Sequence, residues 1–302
     1  MSYKPTVTIG IPAYNEEANI KQLLVSLLTQ KQETFELKEI IVVSDGSSDR
    51  TVELANEVGS DKIRVIDNLD QKGKVVRLNE LFKIIETDYL IQFDADVIFA
   101  HDSVVSLLVE FAYQYEADLI CGNHKPLLPK TFAEKLAYYG VGIWNTALGL
   151  LGDADGLYRC TGQIRGFSRK FLNHFSLPHD IGSGEDVYSF LFAKENGFKT
   201  GFVKEATVYF RLASTFKDYI KQTSRFIQSP RKMDDYFKKS TLDNHRTMTS
   251  GVRSKALVKN LGTSPFYIVF AYLVLQFITQ IVSFIRNKNS IWSIAKSSKT
   301  LK

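Results

Sequence analysis

The sequence has 302 residues, of which 44% are hydrophobic and 24% charged. That is enough apolar material for one large or two modest domains with a real core, and it excludes wholesale disorder. The formal net charge is +5, and no compact basic helix or reader motif accompanies it, which excludes a nucleic-acid partner.

Up to Cys121, short apolar runs alternate with helical spacing. Val7 to Ile11 reads as a strand ending at Pro12. Ile20, Leu23, Leu24, Leu27 and Leu28 then share one face of a helix. Ile40 to Val43 is a second strand, closed by Ser44-Asp45-Gly46. Asp49 is placed to cap a helix reaching Val58. Ile63 to Ile66 is a third strand, and Gly73 opens a helix to about Glu86. Tyr89 to Phe93 is a fourth strand, ending at Asp94. Val104 to Tyr115 is helical and Leu119 to Cys121 is a fifth strand. The fold class is α/β, with a mostly parallel sheet covered on both faces. Such sheets bind ligands at the carboxyl ends of their strands, where Tyr14-Asn15-Glu16, Asp45, Asp94 and Asp96 all fall.

Beyond this region, residues 129–151 are apolar and aromatic, suiting a buried helix or one lying on a membrane. Residues 153–163 read as a loop, Glu185 to Asn196 as a helix closed by Gly197, Val203 to Phe210 as a strand, and Phe216 to Ile227 as a helix. Residues 229–263 are basic and lack a clear period, so they read as a linker. Pro265 to Ile285 is a run of 21 residues without a charge, long enough to cross a bilayer. Residues 264–286 are therefore expected to form a transmembrane or membrane-inserted helix, followed by a basic tail over 287–302. Gln276, Gln280 and Ser283 form a stripe expected to face protein, either a second copy of this chain or a membrane partner. Basic residues at both ends leave the orientation open.

Lys and Arg outnumber Asp and Glu from Lys204 onward, which suits an acidic partner such as a membrane surface or a pyrophosphate. Cys121 and Cys160 have no partner at metal spacing and read as free thiols in a reducing compartment. Met1 to Pro5 holds no apolar signal core, so the catalytic part is expected in the cytoplasm, associated with the membrane.

Asp94-Ala95-Asp96 follows an apolar strand. Two carboxylates one residue apart suit a hard divalent cation shared with a diphosphate. Alone, Asp-x-Asp is common in surface turns. Here it stands with Ile11-Pro12-Ala13-Tyr14-Asn15-Glu16-Glu17, with Val42-Val43-Ser44-Asp45-Gly46-Ser47-Ser48-Asp49, and with Lys72-Gly73-Lys74 and Asn79. In order and spacing these segments resemble the family 2 glycosyltransferases, whose donor domain has the GT-A fold. The resemblance covers residues 6 to about 228 and divides them into a donor-binding half, 1–122, and an acceptor-binding half, 123–228.

The resemblance implies a nucleotide-sugar donor site built on Pro12, Ala13, Tyr14, Glu16, Asp45, Lys74, Asp94, Ala95 and Asp96. Tyr14 would lie against the base and Asp45 would accept the uracil imide hydrogen, unless Asp45 only holds a turn. Ser44 stands where the family often has a second acid. Glu16 would support the base or ribose, and Lys74 would approach the donor phosphates or sugar. Asp94 would contact hydroxyls, and Asp96, with Asp94, would bind Mg²⁺ or Mn²⁺. Gly184-Glu185-Asp186 resembles the acceptor-side acidic pair, whose second acid, Asp186, would be the catalytic base. Gln222-Thr223-Ser224-Arg225-Phe226 resembles a Gln-x-x-Arg-Trp motif, with Phe226 in place of Trp. Gln222, Arg225 and Phe226 would then meet the acceptor or the diphosphate. Thr161 to Gly166 takes the place of the acceptor loop.

These residues imply an inverting transfer from a UDP-sugar to a hydroxyl of a glycan or lipid-linked acceptor. A transferase to polyprenyl phosphate, a processive polysaccharide synthase and a non-catalytic scaffold on the same fold are the rivals.

Overall fold

The computed structural model describes residues 3–152, 156–285, 296–299 and 301. β1 (Thr6–Ala13) is buried at every position after Thr6, as a strand covered on both faces requires. α1 (Ile20–Leu28) returns over it with Ile20, Leu23, Leu24 and Leu27 turned inward. β2 (Glu36–Asp45) runs parallel to β1, with Ile9 opposite Ile40. α2 (Thr51–Asn56) leads to β3 (Ile63–Asn68), which is parallel to β2. Gly73 has φ +96°, where a side chain is strained, and turns the chain into α3 (Lys74–Ile84). β4 (Tyr89–Phe93) pairs parallel with the other side of β1. Four parallel strands thus end on one edge, and that edge carries the Tyr14, Asp45 and Asp94 segments.

The second half departs from this pattern. β5 (Val97–Phe99), α4 (Val104–Tyr115), β6 (Leu119–Pro126) and α5 (Phe132–Leu151) precede β7 (Ile164–Ser168). α6 (Arg169–Leu172), α7 (Glu185–Glu195) and β8 (Thr200–Phe210) follow. The eight strands are ordered β3-β2-β1-β4-β7-β6-β8-β5. β7 is antiparallel to both β4 and β6, and β5 is antiparallel to β8, while β6 and β8 are parallel. The sheet is therefore mixed: all parallel over β3-β2-β1-β4, and with one parallel pair, β6 and β8, among the antiparallel strands beyond. Part of the expected acceptor loop is in fact the central strand β7. Arg165, fully buried in it, disguised the strand as a loop.

The expected linker, 229–263, is also corrected. α8 (Phe216–Lys232) continues into it, and α9 (Lys239–His245) and α10 (Ser250–Asn260) form there. Met248 and Ala256 pack with Ala147 and Leu148 of α5. Asn260 Nδ2 donates to Thr146 Oγ1 at 2.8 Å, and Tyr139 Oη donates to Asn260 O at 3.1 Å. Few positions are buried and basic residues separate them, which hid the period.

α11 (Phe266–Ile285) lies along α5 and α8. Its Ile268, Val269 and Leu275 join Leu136, Ala137 and Tyr219. Gln276 Nε2 donates to Tyr219 Oη at 2.6 Å, and Ser283 is buried, while Gln280 is exposed. The expected polar stripe thus meets protein at two of its three members.

The docking of α10 is testable at Ala256. Ala256→Glu is expected to cost about 3 kcal/mol in urea unfolding, because it buries an unpaired charge. An unchanged midpoint would mean that α10 is a solvated linker.

Candidate active site

The turn after β1 is held by the turn after β2. Asn15, at φ 53°, accepts from Ser48 N at 2.8 Å and donates its own N–H to Ser47 Oγ at 3.1 Å. Glu16 N donates to Thr51 Oγ1 at 2.7 Å. Asp49 Oδ1 accepts from Thr51 N at 3.0 Å, but the N-cap of α2 is Arg50, one residue later than expected and without a side-chain cap, and α2 ends at Asn56. These bonds fix Pro12, Ala13 and Tyr14 at the strand end. Glu16 is buried, and burial raises its pKa despite the opposing effect of Lys299.

Asp45 is 1% exposed. Its carboxylate accepts from Lys72 N at 2.8 Å, Gly73 N at 2.9 Å and Arg77 Nε at 2.8 Å. This arrangement matches the turn-holding role: Asp45 shapes the loop that presents Lys74. Asn79 does similar work further on, exchanging two hydrogen bonds with the backbone of Leu177 at 2.8 and 2.9 Å.

Lys74, the first residue of α3, joins the two halves. Its ammonium lies 2.6 Å from Asp94 Oδ1 and 2.8 Å from Glu185 Oε1. Burial alone would lower its pKa, but Asp94 and Glu185 outweigh burial and raise it. Glu185 shows the reciprocal effect. Burial opposes its charge, yet Lys74 and Arg165 hold its pKa below the usual value. Gly162 lies against this cluster. A Cβ there would come within 3.0 Å of both Glu185 Oε1 and Lys74 Nζ, so only glycine fits without displacement.

Beneath the cluster lies a pair that the sequence pattern did not single out. Arg165 Nε donates to Gln92 Oε1 at 3.0 Å, and Arg165 Nη1 donates to Glu185 O at 3.2 Å. Gln92 Nε2 in turn donates to Gly162 O at 3.0 Å and to Asp94 Oδ1 at 3.3 Å. Both residues are fully buried. They follow from the antiparallel register of β4 and β7, which sets Gln92 opposite Arg165. The only sequence signal was a glutamine amid an apolar strand and an arginine between glycines.

Two carboxyl groups are shifted the other way. Burial, with Glu16 and Asp94 nearby, pushes Asp96 up to about 7. Burial, with Glu185 beside it, pushes Asp186 up to about 6. Adjacent acids therefore differ: Glu185 is held ionised by Lys74, and Asp186 titrates near neutrality. Of the pair expected to be catalytic, Glu185 is committed to the ion cluster. His124, lowered to about 4 by burial and by Arg159, is neutral and shares a 3.2 Å hydrogen bond with Thr161 Oγ1. It braces the loop that carries Gly162.

No group of three or more metal-ligating side chains is preassembled among the described residues. Mg²⁺ commonly takes one or two carboxylates plus phosphate oxygens, so a preassembled trio is not required. The surplus of carboxylates around Asp96 is the observation that suits a hard cation. Ala95, between Asp94 and Asp96, is buried. Of the acceptor-side motif, Phe226 on α8 is 59% exposed, and Gln222 and Arg225 are partly exposed.

The Glycosyl transferase family 2 model matches residues 8–175. The chain belongs to that family. Poly-β-1,6-N-acetyl-D-glucosamine synthase of Staphylococcus aureus is 31% identical over 118 residues, which are 39% of this chain and 28% of the synthase. The same synthase from Staphylococcus epidermidis is 29% identical over an equal span. The chain thus matches under a third of the length of these curated relatives. Among solved structures, the mannosyltransferase PcManGT of Pyrobaculum calidifontis, in complex with GDP-Man and Mn²⁺, superposes with a TM-score of 0.63 at 16% identity. That match covers 94% of this chain and 84% of PcManGT. TarS of S. aureus gives 0.55 at 16% identity, over 86% of this chain and 72% of the TarS chain. The fold is GT-A.

Lys74→Met tests the ion cluster through stability. Removing the ammonium leaves buried carboxylates unpaired, at an expected cost of about 3–5 kcal/mol at neutral pH. Glu185 has a depressed folded pKa in the native protein, so its stabilisation is present above its unfolded value and is lost as pH falls. The gap between wild type and variant should therefore shrink as pH drops below about 4, where the carboxyls protonate. Urea unfolding at several pH values measures it. A gap independent of pH would show that the pairing carries no weight.

Proposed function

We propose that this protein is an inverting glycosyltransferase, using a nucleotide-diphosphate sugar and Asp186 as its general base. The observation that carries the proposal is the contrast between Glu185 and Asp186. A carboxyl near pKa 6 is ionised at cytoplasmic pH and still basic enough to take a proton in a transition state. Asp186 would accept the acceptor hydroxyl's proton as its oxygen attacks the anomeric carbon. The sugar–phosphate bond breaks on the opposite face, and the nucleoside diphosphate leaves. Lys74, held between Asp94 and Glu185, keeps a fixed positive charge beside the donor edge. Asp96, with Asp94, would hold Mg²⁺ or Mn²⁺, which would neutralise charge on the departing diphosphate. Tyr14 would face the nucleobase. Phe226, exposed on α8, would offer a ring to an acceptor sugar. The donor would be a UDP-hexose or UDP-N-acetylhexosamine and the acceptor a glycan or a lipid-linked sugar; the likeness to poly-β-1,6-N-acetyl-D-glucosamine synthase supports the N-acetylhexosamine and glycan alternatives.

Release of nucleoside diphosphate from a panel of nucleotide sugars with Mn²⁺ tests this reading. Activity of the wild type should fall as pH drops through about 6, because Asp186 then protonates. Asp186→Asn should lower kcat about 10²- to 10⁴-fold and remove that acid limb. Equal turnover by the variant would sink the assignment, and no turnover with any donor would favour a scaffold.

The working place is read from α11. Phe266–Phe284 is long and apolar enough to cross a bilayer by length and composition. Two observations favour a helix lying in the membrane surface instead. One face is covered along its length by α5 and α8, which bear Lys135, Lys217, Asp218 and Lys221. Both flanks also fasten to one domain: Asn260 bonds to Thr146 before the helix, and Ser297 N donates to Asp218 Oδ2 at 3.0 Å after it. A single crossing would put those flanks on opposite sides of a hydrocarbon layer about 30 Å thick. The outward face carries Phe266, Phe270, Phe277 and Phe284, between 60% and 87% exposed. Such a face beds in the headgroup boundary of an anionic bilayer, aided by nearby basic residues. Phe270→Glu with Phe277→Glu should abolish flotation with anionic liposomes while leaving soluble turnover in place. Undiminished flotation would overturn the reading.

A further inference from the structure

Lys299 lies among donor-edge groups 285 positions earlier in sequence. Its ammonium is 2.5 Å from Glu16 Oε1 and donates to Asn15 O at 3.2 Å and to Tyr14 O. It also sits 5.8 Å from the centre of the Tyr14 ring. Its backbone carbonyl accepts from Asn19 Nδ2. The side chain is only 15% exposed, and Glu16 is 7% exposed. This is an inserted residue rather than a surface contact.

The segment is fastened on the acceptor side as well. Ser297 N donates to Asp218 Oδ2 at 3.0 Å, and Ser297 Oγ accepts from Ser214 N at 3.2 Å. Arg211 Nη2 donates to Leu301 O at 3.3 Å. The strap thus touches both the loop after β8 with the start of α8 and the turn after β1.

Charge explains why a lysine is the inserted residue. Glu16, Asp94 and Asp96 gather carboxylates at the donor edge, and Lys74 is engaged by Asp94 and Glu185. A further cation lowers the cost of that gathering. Tyr14 supplies a π-face and two carbonyl oxygens complete the cradle. An aromatic face plus carboxylates is also what a nucleoside with its cation would require. The two occupants therefore compete for the same groups.

We propose that the strap of residues 296–299 and 301 is an intramolecular ligand of the donor pocket, with Lys299 as its anchor, which a nucleotide and its cation must displace. The proposal rests on the reading of that pocket as the donor site. If the pocket is closed in most molecules, apparent donor affinity falls by the open fraction.

The full chain is compared with Lys299→Ala, Lys299→Arg and a chain ending at residue 295. Two readouts are taken: hydrogen exchange of the segment 14–19, and binding of UDP with Mn²⁺ by titration calorimetry. Lys299→Ala and the truncated chain should lose exchange protection at 14–19 and bind UDP–Mn²⁺ about tenfold more tightly, as for a pocket open about one-tenth of the time. Lys299→Arg should retain most of the protection. Unchanged protection in both Lys299→Ala and the truncated chain would overturn the proposal. So would lost protection with unchanged or weaker UDP binding, since no competition would then exist. If protection is lost but no chain binds any nucleotide, the tail is a ligand of the pocket and the donor reading is what fails. Circular dichroism of each variant separates loss of the strap from loss of the fold.

Discussion

A buried ammonium between two carboxylates is the constraint around which this protein is organised. Lys74 is held by Asp94 from the donor half and by Glu185 from the acceptor half. Neither half can bury its carboxylate alone without leaving a charge in a poorly solvated place. The halves are therefore joined by charge as well as by β4–β7 pairing. Arg165 and Gln92 form the layer below, and their hydrogen bonds restrict how Asp94 and Glu185 can turn. Gly162 is the consequence on the backbone side, since a methyl group there would press on the ammonium.

The same constraint separates the tasks of two neighbouring acids. Glu185 and Asp186 are adjacent at the start of α7, Glu185 buried and Asp186 half-buried. Only Glu185 faces a cation directly, so its charge is stabilised while Asp186 meets burial and a like charge. Pairs whose surroundings push their pKa values apart mark acid–base assignments more securely than either residue's identity. On the donor side the balance tips towards negative charge, with Asp96 pushed up to about 7. Carboxylates are thus in excess around Asp96, while Asp186, on the proposed reading, would be the proton acceptor.

The donor half was legible because its signals are local. Each strand is a short apolar run, each ends in a polar cluster, and parallel alternation puts those clusters on one edge. The acceptor half was not, because its logic is non-local. β7 contains a buried arginine that only its partners across the sheet explain. The bonds that Asp45 accepts from Lys72 N, Gly73 N and Arg77, the fourth residue of α3, could not be read from its motif either. The region 229–263 hid its helices because α10 buries little beyond Ala256 and Asn260. Lys299 carries no motif at all. Its place depends on a fold of the chain ends that no period or spacing encodes.

The strap and the cation preference share one cause. Glu16 and Asp94 lie near Asp96, and their charges with burial push the Asp96 carboxyl up to about 7, which is one form of compensation. Lys299 is another, and it lowers the pKa of both Glu16 and Asp96 by its charge. A divalent cation bound with a diphosphate would be a third, with more charge and no side-chain entropy to restrain. Because the three compensate the same surplus, they are linked thermodynamically: whatever favours one weakens the others by the same free energy. If the donor binds where proposed, its affinity, the protonation of Asp96 and the position of Lys299 would be properties of one charge balance rather than of separate sites.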